Sequence, residues 1–222
     1  MEEMNMLFRW GHILVGITWI GLLYYFNFVQ TEYIKEADEA GKKDVVSKLA
    51  PRALWWFRWA AFFTFLTGIV LLYLIQAAVS LDIILGAVMG TFMMLNVWGI
   101  IWPNQKIVIG LKDGDPSVAG PKAALASRTN TLFSIPMLYC MVSSAHVTMF
   151  TEAGGRIQVN PMDGTVISSL NETALLTGLA LILLIQANAI WGKMFGVITS
   201  VRSVIISGFV LTIILSGLGN YL

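Results

Sequence analysis

The chain has 222 residues, 57% hydrophobic and 12% charged, where an ordinary soluble domain carries roughly a quarter charged. Apolar runs of about 20 residues, rather than a large soluble core, account for that deficit and mark an integral membrane protein. A net charge of +1 leaves no basic face for nucleic acid. The single cysteine, Cys140, excludes an intrachain disulfide, a four-cysteine metal site and a Cys-x-x-Cys-His haem attachment.

Taken in chain order, "MEEMNMLFRW" is acidic and lacks a small-residue cleavage site, so the first apolar run is expected to be a retained helix. That run, near 7–30, contains "RWGHILVGITWIG" and one of the two histidines, His12. The charged stretch "TEYIKEADEAGKKDVVSKLAPR" suits an amphipathic surface helix. Spans follow near 54–76 and 81–102, then a Gly- and Pro-rich stretch, "PNQKIVIGLKDGDPSVAGPKAA", that reads as irregular loop. The fourth span, near 124–150, is expected to kink at Pro136 and carries His146 near its end. In "TEAGGRIQVNPMDGTVIS" the pairs Asn160-Pro161 and Asp163-Gly164 lie between short β-like runs and predict a small hairpin outside the membrane. Spans near 168–191 and 201–222 complete the pattern. The expected fold is all-α: one domain, 1–222, forming a polytopic bundle of six transmembrane helices.

Loop charge orients the bundle. Twelve of the fourteen Lys and Arg residues fall in or beside the loops between spans one and two, three and four, and five and six. Only Arg9 and Arg156 lie on the other side. The positive-inside rule puts the rich loops in the cytoplasm and both termini in the periplasm. Trp55, Trp56, Trp59, Trp98, Trp102 and Trp191 then form an aromatic belt at the cytoplasmic interface.

On this topology His12 lies about 7 Å, and His146 about 6 Å, below the outer boundary, on antiparallel spans. Ionisable residues inside spans are rare and mark function by default. The pair is expected to supply both axial ligands of one haem b. Gly11 and Gly16 flank His12 and leave a bare face for a flat macrocycle, and Arg9 sits one turn outward, where propionates seek a cation. Copper is the rival metal, with Met149 nearby. The competing accounts are interfacial polarity for each histidine and ordinary helix packing for the glycines.

A second constellation maps to the Lys/Arg-rich side. Asn27 and Gln30 end the first span, Asn96 is late in the third, "SRTN" (Ser127–Asn130) opens the fourth, and Gln186 and Asn188 are late in the fifth. Asn27, Asn96, Arg128, Asn130, Gln186 and Asn188 are the candidate site for a polar or anionic small molecule. The alternative is that these amides only fasten the helices to one another.

Four blocks carry a resemblance. "RWGHILVGITWIGLLYYFNFVQ", "LWWFRWAAFFTFLTG", "NVWGIIWPNQK" and "ASRTNTLFSIPMLYCMVSSAH", which extend from Arg9 to His146, together resemble the membrane domain of bacterial membrane-bound urate hydroxylases, the urate oxidase N-terminal family. The resemblance implies a bacterial inner-membrane, multi-pass protein whose relatives carry a periplasmic cytochrome c domain that takes electrons from the oxidation. This sequence stops at Leu222 without a Cys-x-x-Cys-His motif, so a separate periplasmic cytochrome c or respiratory-complex subunits are the expected partners. The first functional expectation is a haem b electron-transfer subunit working near the periplasmic face. The second is a urate-hydroxylase-like oxidoreductase acting with an external cytochrome c. The third is a cofactor-free structural subunit.

Overall fold

The structure, a computed structural model, describes residues 2–75, 79–146, 157–159, 166–168 and 171–221, with the side chains of 145–146, 157–159, 166–168 and 219–221 excepted. Helix α1 (Glu2–Tyr24) runs through a π-helical segment, Tyr25–Gln30, into α2 (Thr31–Glu36). Helix α3 (Glu39–Asp44) runs through a second π segment, Val45–Leu49, into α4 (Ala50–Ile75). Helix α5 (Leu81–Asn96) runs through a third, Val97–Ile101, into α6 (Trp102–Val108). Then come α7 (Pro116–His146), strands β1 (Ile157–Val159) and β2 (Val166–Ser168), α8 (Glu172–Trp191), the single turn α9 (Gly196–Thr199), and α10 (Val201–Tyr221).

Five of the resulting rods are long and apolar enough to cross a membrane: Glu2–Glu36, Glu39–Ile75, Leu81–Val108, Glu172–Trp191 and Val201–Leu218. The chain is therefore a multi-pass membrane protein, and its described residues are helical apart from the small hairpin and short links between helices. The expected fourth span falls on α7, which is longer than any of the other α-helices but too polar to be counted with the five. Its position explains the polarity. From Arg128 to Ser134 every residue is buried, so this stretch of helix faces protein on all sides and can carry Thr129, Asn130 and Thr131 without meeting lipid.

Local chemistry sets the helix starts. The side chains of Asp38, Ser80 and Asn171 accept from the backbone N–H groups of Gly41, Ile83 and Ala174 at 2.7, 3.3 and 3.0 Å. At the entry to α7, Asp115 takes the Ser117 hydroxyl at 2.7 Å and the Ser117 backbone N–H at 2.8 Å, and these bonds hold its exposed carboxyl below the usual carboxylate range. The charged stretch after the first span is helical, as expected, in α2 and α3, with exposed Glu32–Lys35, Glu39–Lys42 and Asp44–Lys48 pairs. The Gly- and Pro-rich stretch differs from expectation. Pro103 and Pro116 sit in the first turns of α6 and α7, where a missing N–H costs nothing, so irregular chain is confined to 109–115. The helix also continues through Pro136. The hairpin forms in antiparallel register, with Gln158 opposite Ile167, while its expected turn residues at 160–164 lie outside the described residues.

Packing divides the bundle. α1 lies along α4, and α7 lies against α5, α6 and α10. The α5–α7 contact is close because Gly86 carries no side chain: a Cβ there would stand 3.0 Å from the Cys140 Cβ. At the Lys/Arg-rich end the belt tryptophans interlock. The Trp98 indole N–H donates to the Arg58 carbonyl at 3.1 Å, and the Arg58 guanidinium stacks 4.0 Å above the Trp102 ring.

Gly86→Leu should force α5 from α7 and cost about 1–3 kcal/mol, as overpacking does. Gly99→Leu, with nothing within 4 Å of its Cβ position, should cost far less. Thermal unfolding of the two variants in one detergent checks the difference, and equal losses would contradict the packing.

Candidate functional site

A cavity of about 280 Å³ lies at the Lys/Arg-rich end of the bundle. Phe26, Asn27, Gln30, Thr31 and Lys35 form one wall, and Gly120, Ala123, Ser127 and Arg128 of α7 form the other. Ala50, Leu54 and Phe57 of α4, Ile101, Gln105, Met194 and Thr199 close it. Two of the three described π segments supply lining residues: Tyr25–Gln30 gives Phe26, Asn27 and Gln30, and Val97–Ile101 gives Ile101. π turns rotate side chains out of the α-helical register and occur preferentially at functional sites. The volume is near the small end of the roughly 300–1,000 Å³ typical of ligand pockets, which suits a molecule of one or two rings.

The wall has an unbalanced charge. Arg128 is 6% exposed, and its Nη1 has no hydrogen-bond partner among the described residues. No described carboxylate forms a salt bridge with it; Glu32 acts on it only through longer-range electrostatics. Glu32 is itself engaged with Lys35, at 2.8 and 3.0 Å through its two oxygens. A guanidinium cannot shed its proton, and an unpaired buried charge costs several kcal/mol. An anion in the cavity removes that cost. Gln30 Oε1, buried on the facing wall, also lacks a partner among the described residues. Asn27 is held firmly: its Nδ2 donates to the Leu23 carbonyl at 2.9 Å and to Ser127 Oγ at 2.8 Å.

The other amides of the expected constellation separate from this site. Asn96 Nδ2 donates to Asn130 Oδ1 at 2.8 Å and to Gln186 Oε1 at 3.0 Å, and Gln186 Nε2 returns a bond to Asn96 Oδ1 at 2.7 Å. Asn130 Nδ2 donates to the Met93 carbonyl at 2.9 Å. This triad ties α5, α7 and α8 together and is closed on itself, so it fastens helices. Asn188 turns away to the Lys193 carbonyl at 3.4 Å. Of the six candidates, Asn27 and Arg128 line the cavity and the other four do not.

At the opposite end His12 packs on α4. Its Nδ1 lies 3.0 Å from Thr67 Oγ1, and a Cβ on Gly68 would come within 3.2 Å of its Cε1. A Cβ on Gly16 would stand 3.9 Å from the Thr64 methyl, so the glycine lies at the α1–α4 packing face, and Arg9 bonds Asn5 at 3.2 Å. His146 is the last residue of α7; its side chain and all of Met149 lie outside the described residues. Sequence reasoning passed over Asp82, a buried acid at the start of α5 whose Oδ2 accepts from Ser143 Oγ at 2.8 Å. An Asp inside an apolar run was the available signal. Lys35, Gln105 and Thr199 had none, since only the tertiary fold brings them to the cavity.

Residues 76–160 match the family model described as urate oxidase N-terminal. The segment holds α5 to β1, including Arg128 and the α7 wall of the cavity. No curated relative and no solved structure matches the chain.

Asn96→Ala should strand polar atoms of both Asn130 and Gln186 and cost about 1–3 kcal/mol. Asn188→Ala, outside the triad, should stay within about 0.5 kcal/mol of the parent. Unfolding midpoints of both variants check this, and a harmless Asn96→Ala would contradict the fastening role.

Proposed function

We propose that this chain, of the urate oxidase N-terminal family by its matched segment, is a membrane-embedded oxidoreductase subunit that holds urate, or a small planar anion like it, beside Arg128. The observation that carries the reading is the buried guanidinium on a cavity wall with no protein counter-charge at hydrogen-bonding distance among the described residues. Guanidinium groups favour planar oxyanions that can take two parallel N–H bonds. Hydroxylation of urate by water adds one oxygen and releases two protons and two electrons. The electrons then go to a separate cytochrome c or respiratory complex. The part played by this chain's own residues is binding and orientation: Arg128 compensates the charge, the amide wall fixes the ring, and the apolar faces of Phe26 and Phe57 exclude water.

The topology that accompanies this reading has six crossings, α7 being the fourth. The twelve-to-two bias of basic residues puts the cavity on the cytoplasmic side and both termini and the hairpin in the periplasm of a bacterial inner membrane.

A second reading is favoured by one specific contact. Thr67 has a single hydroxyl proton, and its Oγ1 lies 2.7 Å from the Phe63 carbonyl, which can only accept. The hydroxyl can then accept from His12 Nδ1–H, and in that tautomer the ring lone pair is on Nε2. That is the tautomer a metal-ligating imidazole adopts, and Gly68 keeps the ring seated. His12 and His146 would hold a haem b, which would supply one-electron transfer when bound. His12 and Asn27 are about 22 Å apart along the helix rod, so this haem would serve the periplasmic carrier and would not take electrons from the cavity directly.

With purified protein, urate and an external cytochrome c, Arg128→Gln should lower urate-dependent cytochrome reduction at subsaturating urate by at least about 30-fold. Unchanged reduction would remove the cavity from the reaction. For the second reading, the reduced-minus-oxidised spectrum should contain a b-type band that His12→Ala abolishes or converts to high spin, and a full low-spin band in that variant would overturn the ligation.

A further inference from the structure

Asn27 is 4% exposed and lines the cavity beside Arg128. Its orientation is fixed by chemistry. The Leu23 carbonyl can only accept, so the atom facing it at 2.9 Å is the amide nitrogen. The second amide hydrogen goes to Ser127 Oγ at 2.8 Å. Both donors are consumed, and Oδ1 is left as an acceptor that receives no hydrogen bond from any described residue. The two facing walls therefore offer demands of two kinds: the Arg128 guanidinium wants an anionic oxygen, and the side-chain carbonyls of Asn27 and Gln30 want a donor. A carboxylate or a fully ionised phosphate meets the first demand and brings a second negative oxygen against Asn27 Oδ1. A planar ring anion that retains an N–H next to its charged oxygen meets both.

We infer that Asn27 is the specificity-determining residue of this cavity, accepting a ring N–H from the same ligand whose oxygen pairs with Arg128. The inference rests on the cavity reading above and adds the selection rule. Sites built to hydrogen-bond an N–H reject analogues that lack it, because the buried acceptor is then left unpaired. Phe26, Asn27 and Gln30 lie on one face of the helical rod and are presented to the same space.

The test is equilibrium binding to the purified full chain in detergent, with urate and each of its mono-N-methyl derivatives as ligands. The wild type should bind urate and disfavour at least one N-methyl derivative by about tenfold or more. Asn27→Leu fills nearly the same space without an acceptor. A preference based on bulk persists in it, and a preference based on the N–H is lost. Urate affinity should fall about tenfold and the ratio between urate and the disfavoured derivative should collapse toward one. Because Asn27 also braces α7, Asn27→Met serves as the second variant if the leucine protein does not fold, with the same expectation. Equal binding of urate and all derivatives by the wild type, or a ratio retained in either variant, overturns the role of Asn27 while leaving the cavity reading standing. Absence of saturable urate binding, or binding insensitive to Arg128→Gln, overturns the cavity reading and the selection rule together.

Discussion

A permanently charged guanidinium buried inside a membrane bundle is the constraint around which the rest of this molecule is arranged. Arg128 cannot neutralise itself by releasing a proton, and lipid offers it no water. It survives because α7 is enclosed by other helices over the stretch that contains it and because a polar cavity opens beside it. The surrounding carboxylate is withheld: Glu32 is held by Lys35 on the surface helix α2. A protein that needed only to fasten helices here would use closed amide pairs, as it does nearby at Asn96, Asn130 and Gln186. The contrast is between polar groups that satisfy one another across helices, which include Asn130 of α7, and a cation of the same helix left open to a cavity.

Rigidity and adjustability are distributed accordingly. The triad, the Gly86–Cys140 contact and the interlocked tryptophans fix α5 and α7 relative to α4 and α8. Two of the three described π segments, where each extra residue in a turn displaces the side chains that follow, supply residues to the cavity. Ser127 joins the two regions, since it accepts from Asn27 while its neighbour Arg128 faces the same space. At the far end of α1, His12 rests on Thr67 and Gly68 of α4, so the same helix leans on α7 at one end and on α4 at the other.

Much of this architecture is legible in the sequence because the signals are local. Long apolar runs locate the spans, the charged stretch after the first span reads as a surface helix where α2 and α3 lie, and paired turn signals locate the hairpin. Proline position misleads: Pro103 and Pro116 read as loop residues, yet in a first helical turn proline removes only a donor that had no partner. The polar constellation is half legible. Depth along a helix follows from counting residues, and it places Asn27, Asn96, Arg128 and Gln186 at one level. Azimuth does not, because it depends on which helices pack together, and it decides that Asn96 and Gln186 meet each other while Asn27 and Arg128 meet a cavity. The π turns shift azimuth further and have no residue pattern of their own. The same limit applies to His12, whose depth is readable but whose packing partner, α4, is not. The resemblance to the urate oxidase N-terminal family is carried by the blocks between Arg9 and His146, and the match over 76–160 falls within the same region apart from its last residues.

The central claim is that an anion completes the cavity at Arg128, and the most direct measurement is an experimental structure of the purified chain determined with urate. The account predicts ring density within hydrogen-bonding distance of the Arg128 guanidinium and of Asn27 Oδ1, with the Asn96 triad unchanged. Ring density elsewhere in the protein, or a cavity closed by Arg128 turning to a protein carboxylate, would contradict it.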